Sequence, residues 1–68
     1  MEVVLASSNQ GKIKEFQKIL SDVGMNITPQ EEFFVQYVDE TGLTFVENAI
    51  LKARHASLQT KLPAIADD

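Results

Sequence analysis

The chain has 68 residues, no cysteine, 6 basic and 10 acidic side chains, and a formal net charge of −4. This length allows one small domain, the absence of cysteine excludes disulfides and thiolate metal sites, and the acidic balance argues against nucleic-acid binding. No apolar stretch approaches the roughly 20 residues of a membrane span, and the first residues do not resemble a signal peptide. We therefore expect no membrane association and a cytoplasmic location.

The first 24 residues predict a strand, a polar loop and an amphipathic helix. Residues 3–6 form an unbroken apolar run, which is typical of a strand in the middle of a sheet. Residues 7–11 are polar and include residue types that cap helix N-termini. Apolar residues then recur at helical spacing up to Val23, and Gly24 stands where a glycine commonly ends a helix.

The middle of the chain carries weaker patterns. Residues 25–28 predict a short strand that Pro29 ends. Residues 30–43 fit either a strand or a packed loop, and they finish in a polar turn at residues 39–42. The aromatic side chains of this stretch are most simply interpreted as core or interface residues; they are Phe33, Phe34 and Tyr37.

A second helix is predicted to follow the turn. Thr44 and Glu47 match the capping-box pattern. In this pattern the threonine hydroxyl oxygen accepts a hydrogen bond from the backbone N–H of the glutamate, and the glutamate side chain accepts one from the backbone N–H of the threonine. The apolar spacing extends this helix to about Leu58. It predicts a buried face made of Phe45 or Val46, Ala49, Ile50, Ala53 and Ala56.

Residues 64–66 predict a third short strand that runs into Asp67 and Asp68. The order strand, helix, strand, helix, strand indicates an α/β fold with at least partly parallel pairing. Chain ends usually lie in polar, loosely held segments rather than beside a core strand. We therefore expect residues 1–68 to be the amino-terminal part of a single larger domain, truncated at its carboxy-terminal end.

The pattern Ser7-x-Asn9-x-x-Lys12 lies between the first predicted strand and helix. A helix N-terminus offers N–H groups and a partial positive charge, both of which favour phosphate. Ser7 and Asn9 add polar side chains, and Lys12 adds a positive charge. The alternative is that Asn9 only caps the helix and Lys12 is solvated. The pattern is not a Walker A loop, which needs glycine before Ser7 and serine or threonine after Lys12.

Carboxylates provide the second candidate site. In α/β sheets ligands gather at the carboxyl ends of strands, so Asp67 or Asp68 could hold magnesium or accept a proton from water. Successive side chains of a strand point to opposite faces, so we expect only one of the pair to face a site; a solvated strand end is the alternative. Glu40 and Glu47 are candidates for a second magnesium ligand, although the cap explains Glu47 better. The helical position of Lys52 is, on pattern alone, more typical of a surface lysine.

Three sequence blocks occur in a characteristic order: VLASSNQGKIKEF at residues 4–16, ETGLTFVENAILKAR at residues 40–54, and LPAIADD at residues 62–68. Together they resemble the amino-terminal part of the inosine triphosphate pyrophosphatase family of nucleoside triphosphate pyrophosphatases. The resemblance covers the whole chain. It implies an ITPase-like mixed sheet flanked by helices, of which only the first strand-helix-strand-helix-strand portion is present.

The resemblance implies magnesium-dependent hydrolysis of deaminated purine nucleoside triphosphates, such as ITP, dITP and XTP, to the monophosphate and pyrophosphate, which clears them from the nucleotide pool. By matched position, the residues that would bind this small-molecule substrate are Ser7, Ser8, Asn9, Gln10, Gly11, Lys12 and Lys52. Glu40 and Asp68 would bind Mg²⁺, Asp68 would also orient or deprotonate the attacking water, and Asp67 would support this cluster. Family members are typically homodimers.

Two other interpretations stay open. Maf-type nucleotide pyrophosphatases have a similar Leu-Ala-Ser start, but they typically carry a proline and paired arginines where residues 9–12 stand here. The second interpretation is a non-catalytic chain, either a truncated fragment or a nucleotide-binding module. Members of the resembled family read the base with carboxy-terminal residues, including a Ser-His-Arg segment, that this sequence does not contain.

Overall fold

A computed structural model of the chain describes residues 1–67. In chain order its elements are strand β1 (Glu2–Leu5), helix α1 (Gln10–Ser21), strand β2 (Asn26–Pro29), a 3-10 helix (Gln30–Phe33), helix α2 (Phe45–Thr60) and strand β3 (Ala64–Ile65). Over the described residues the strands form one parallel sheet in the order β2-β1-β3. The predicted α/β class and element order are confirmed.

Strand β1 lies in the middle of the sheet and is buried on both faces. Val3 and Leu5 point to one face, where they pack with Ile13 of α1. Val4 and Ala6 point to the other face and pack with Ala56 of α2. Alternate side chains of a strand point to opposite faces, so a strand covered on both sides needs the unbroken apolar run that the sequence shows.

Helix α1 begins and ends at local signals. The Asn9 side-chain oxygen accepts a hydrogen bond from the Lys12 backbone N–H at 3.1 Å, which caps the first turn. At the other end Gly24 adopts φ +81°, its N–H donates to the Ser21 carbonyl, and the next N–H donates to the Leu20 carbonyl. This is the Schellman arrangement, in which glycine takes the left-handed conformation without steric cost. The predicted glycine stop is confirmed.

Residues 34–43 form a loop, and side chains rather than a neighbouring strand contact two of its carbonyl groups. Gln30 is 1% exposed, and its amide donates to the carbonyls of Val35 and Gln36 at 3.4 and 2.9 Å. Buried backbone groups need a partner, and here a glutamine side chain provides it. Of the two open alternatives, a strand or a packed loop, the structure shows the loop.

Helix α2 begins at its predicted cap and ends two residues beyond Leu58. The Thr44 hydroxyl oxygen accepts a hydrogen bond from the Glu47 backbone N–H at 3.1 Å. The predicted burial of Ala56 is confirmed, since it is 0% exposed. The predicted burial of Phe45 or Val46 and of Ile50 is wrong, because these residues are 75%, 69% and 43% exposed. The helix meets the sheet around Ala56, in its second half, so its first turn lies away from the core. Within residues 1–67, neither long helix has the length and apolar character needed to cross a bilayer.

Replacing Phe34 by glycine is expected to raise the free energy of unfolding by roughly 0.5–1 kcal/mol. Phe34 ends the 3-10 helix with φ +59°, and its ring is 95% exposed. The left-handed conformation is costly for a residue with a Cβ atom, and the exposed ring loses few contacts when it is removed. Urea denaturation of the chain measures the change. Phe34→Ala is the matched control, because it removes the same ring and keeps the strain; a lower stability for Phe34→Gly than for Phe34→Ala would contradict the interpretation.

Candidate functional site

The carboxyl ends of the three described strands meet at one edge of the sheet. Leu5 pairs in register with Pro29 and with Ile65, so the segments that follow these residues are neighbours. A cavity of about 350 Å³ opens at this edge, and we call it the strand-end cleft. The residues that line it are Ala6, Ser7, Ser8, Asn9, Lys12, Tyr37, Val38, Glu40, Lys52 and Asp67.

The segment that joins β1 to the first turn of α1, residues 7–12, is held by its own hydrogen bonds; we call it the phosphate loop after the role that its sequence predicts. Ser7 is buried, and its hydroxyl oxygen accepts from the Asn9 N–H at 3.2 Å. Asn9 caps α1 and also lines the cleft, as do Ser8 and Lys12. A Cβ atom at Gly11 would lie 3.3 Å from the Asn9 side-chain oxygen, so glycine suits this position. Two predicted binding residues of the loop, Gln10 and Gly11, are exposed and outside the cleft lining.

Two lysines face two carboxylates across the strand-end cleft. The Lys12 ammonium lies 2.7 Å from the Asp67 carboxylate, and the Lys52 ammonium lies 3.9 Å from the Glu40 carboxylate. The Lys52 side chain is only 14% exposed, so the surface position that its helical pattern suggested is wrong. The Lys12 and Asp67 side chains are 44% and 34% exposed. A pair of this kind contributes at most about 1 kcal/mol, so an incoming anion can displace the carboxylate at small cost.

The strand-end cleft contains side chains of the type that bind magnesium ions. Among residues 1–67, no group of three or more potential metal-binding side chains is arranged around one point. Glu40 and Asp67 nevertheless bring two carboxylates to the same cavity. Magnesium is commonly bound by one or two carboxylates together with waters and substrate phosphates, rather than by an all-protein cage. The other predicted ligand and catalytic residue, Asp68, lies outside the described residues.

Tyr37 belongs to the cleft, although its sequence context suggested a core or interface role. Its hydroxyl lies 2.9 Å from a carboxylate oxygen of Glu31 and 3.1 Å from the carbonyl oxygen of Ser7. Ser7 and Tyr37 are 30 residues apart, and no local spacing pattern relates them. This residue was therefore missed by the sequence analysis.

The Tyr37 hydroxyl is expected to titrate at unusually high pH. Burial, followed by the hydrogen bond and the negative charge of Glu31, raises the pKa of Tyr37 from 10.0 to about 12. The fold therefore favours the neutral phenol, and this stabilisation is complete below pH 10 and is lost as the pH rises towards 12. Tyr37 is the only tyrosine in the chain, so ultraviolet absorbance of the phenolate reports this group alone. A midpoint near 10 in the folded chain, equal to that in urea, would show that these contacts do not form in solution.

The chain matches the protein-family model of the Ham1 family over residues 3–68. A dITP/XTP pyrophosphatase from Escherichia coli O157:H7 is 60% identical over 67 residues, which are 98% of this chain and 34% of that protein. The solved structure of a HAM1 protein from Coxiella burnetii superposes with a TM-score of 0.89 at 56% identity, covering 94% of this chain and 32% of that one. The Staphylococcus aureus Ham1 protein gives a TM-score of 0.86 at 43% identity, covering 100% of this chain and 35% of that one.

The chain thus spans about a third of the length of the relatives that it matches. The predicted resemblance to nucleoside triphosphate pyrophosphatases and the ITPase-like fold are both confirmed by these matches. The family model and both of these solved structures carry the Ham1 name, which favours this family over the Maf alternative. Because the family model covers residues 3–68, the chain belongs to the Ham1 family.

Proposed function

We propose that this chain provides the phosphate-binding and magnesium-binding part of a nucleoside triphosphate pyrophosphatase. The reaction converts deaminated purine nucleoside triphosphates, such as ITP, dITP and XTP, to the monophosphate and pyrophosphate. The observation that carries the proposal is the strand-end cleft, in which Lys12 and Lys52 face Glu40 and Asp67. The name dITP/XTP pyrophosphatase, which several close relatives carry, supports the same substrate class.

The phosphate loop and the two lysines bind the triphosphate in this proposal. The N-terminus of α1 opens at the cleft, and its first-turn N–H groups and partial positive charge favour phosphate oxygens. Lys12 and Lys52 neutralise further charge once their carboxylate partners are displaced. Ser7, Ser8 and Asn9 line the same wall and orient the chain of phosphates. Charge-assisted hydrogen bonds of this kind are about twice as strong as neutral ones.

In this proposal the carboxylates bind the metal ion and activate the attacking water. Glu40 and Asp68 would hold Mg²⁺, and Asp67 supports them while it pairs with Lys12. Bound magnesium would offset the negative charge that develops at the scissile phosphate. Asp68 orients the attacking water or accepts its proton, as the family resemblance implies. The homodimer and the cytoplasmic location that were expected from the sequence stay predictions.

A chimera tests the proposed function. This chain replaces the matching segment of the 60% identical relative, so that the remaining sequence of that relative follows it. We expect the chimera to release pyrophosphate from ITP in preference to ATP when magnesium is present. No release by a folded chimera, under conditions in which the relative itself is active, would overturn the proposal. Equal release from ATP and ITP would overturn the substrate class.

For the 68-residue chain alone, binding without hydrolysis is the alternative function. The chain contains the cleft but spans only 34% of the relatives' length, and the family resemblance places the base-reading residues elsewhere. We expect the isolated chain to release no pyrophosphate from either ITP or ATP. Selective release from ITP by this chain would show that base selection uses residues within it.

A further inference from the structure

Tyr37 connects the loop that follows the 3-10 helix to the phosphate loop. Its hydroxyl contacts the Ser7 carbonyl oxygen at 3.1 Å, and Tyr37 lines the strand-end cleft together with Lys12. We propose that Tyr37 is a positioning residue, which holds the phosphate loop in its phosphate-binding conformation through the Ser7 carbonyl. The proposal rests on the proposed function, because it concerns the phosphate groups that this loop binds.

The contact with Ser7 affects the whole phosphate loop because hydrogen bonds link Ser7 to Asn9 and Asn9 to Lys12. The Asn9 N–H donates to the Ser7 hydroxyl oxygen at 3.2 Å. The Asn9 side-chain oxygen then accepts from the Lys12 N–H at 3.1 Å. A shift of Ser7 therefore changes the position of Asn9, and with it the first turn of α1. The Tyr37 hydroxyl joins these hydrogen bonds to the loop at residues 34–43, just as the Lys12–Asp67 pair joins them to the end of β3.

Tyr37 can act as an anchor because the residue before it is held from two elements. The Gln30 amide, from the 3-10 helix, donates to the Gln36 carbonyl at 2.9 Å. His55 Nε2, from α2, lies 2.7 Å from the same carbonyl oxygen. Gln30 is almost completely buried, so its position is fixed by packing as well as by hydrogen bonds. The loop therefore presents the Tyr37 hydroxyl to Ser7 from a defined position.

The second contact of Tyr37 provides a matched control. Its hydroxyl also lies 2.9 Å from a carboxylate oxygen of Glu31, and Glu31 is not among the residues that line the cleft. Tyr37→Phe removes both contacts and keeps the ring. The hydroxyl has a single hydrogen, for which the Glu31 carboxylate and the Ser7 carbonyl compete. Glu31→Ala removes the acceptor that is distant from the phosphate loop and leaves the hydroxyl to donate to Ser7 alone. Both variants are expected to lower the melting temperature, whereas only Tyr37→Phe should weaken phosphate binding.

The experiment is a calorimetric titration of the full-length chimera with inorganic pyrophosphate in the presence of magnesium. We expect Tyr37→Phe to bind pyrophosphate about fivefold to tenfold more weakly, the factor that corresponds to one net hydrogen bond. Glu31→Ala should bind at least as tightly as the parent, because the hydroxyl hydrogen is then donated to the Ser7 carbonyl alone. In steady-state assays with ITP, Tyr37→Phe should raise KM by a similar factor and leave kcat nearly unchanged, because the contact supports ground-state and transition-state binding equally.

Two results would overturn the positioning role. One is equal affinity of Tyr37→Phe and the parent for pyrophosphate. The other is an equal loss of affinity in Glu31→Ala, which would assign the effect to the stability of the loop rather than to the Ser7 carbonyl. A folded parent chimera that binds no pyrophosphate would instead overturn the proposed function, and this inference with it.

Discussion

Replacing Lys12 by alanine in the chimera is expected to lower kcat/KM for ITP by about 10²-fold to 10³-fold. The Lys12 ammonium lines the strand-end cleft and lies 2.7 Å from the Asp67 carboxylate. Without it, the triphosphate meets the Asp67 charge with one fewer cation to offset the repulsion. The loss should be present in kcat as well as in KM, because charge on the phosphates changes as the bond to the leaving group breaks. Steady-state pyrophosphate release measures both parameters.

Lys14→Ala is the matched control for this prediction. Lys14 lies on the same helix, is exposed, and is outside the cleft lining, so its removal changes the net charge equally without changing the site. We expect its kcat/KM to stay within about twofold of the parent, as is usual for an exposed charge that is screened by salt. Similar losses in the two variants would show that Lys12 acts only through the overall charge of the protein.

Replacing Asp68 by asparagine is expected to lower kcat for ITP by about 10³-fold or more. The family resemblance assigns this carboxylate to Mg²⁺ and to the attacking water, and asparagine keeps the size of the side chain while it removes the charge and the basic oxygen. Pyrophosphate release, measured over a range of magnesium concentrations, separates weaker metal binding from slower chemistry. A variant that recovers its kcat at high magnesium would have lost only a metal ligand.

Asp67→Asn is the comparison that tests the division of roles within the acidic pair. Asp67 lines the cleft and pairs with Lys12. We expect Asp67→Asn to lower kcat/KM about tenfold, because the uncharged amide holds the Lys12 ammonium less firmly in position. The loss should be smaller than that of Asp68→Asn. The reverse order would show that Asp67 holds the metal or the water and that the assignment by family resemblance has the two residues exchanged.

Much of the local structure could be predicted because its causes lie within a few residues. The run at residues 3–6 forms a strand that is buried on both faces, as an unbroken apolar run indicates. Asn9, Gly24 and Thr44 act at the helix ends where their residue types predict them. Caps and glycine stops depend on contacts with the next three or four residues of the same chain. The sequence alone is therefore enough to predict where both helices begin and where α1 ends.

Side-chain directions were harder to predict because they depend on where an element lies in the fold. The apolar spacing of α2 suggested burial of Phe45 or Val46, yet the helix meets the sheet around Ala56. The pattern around Lys52 was typical of a surface position, yet its side chain turns into the cleft beside Glu40. Helical periodicity predicts which residues share a face but not which part of that face another element covers.

The sequence by itself therefore determined the α/β class, the order of the elements, the helix ends and the motif that indicated the family. Only the tertiary structure decided how the site is assembled. Parallel pairing in register brings the ends of β1, β2 and β3 to one edge, and this places Asp67 beside Lys12. It also brings the Tyr37 hydroxyl to the Ser7 carbonyl across 30 residues of chain. Contacts of this kind follow from strand order and packing, and no spacing along the chain encodes them.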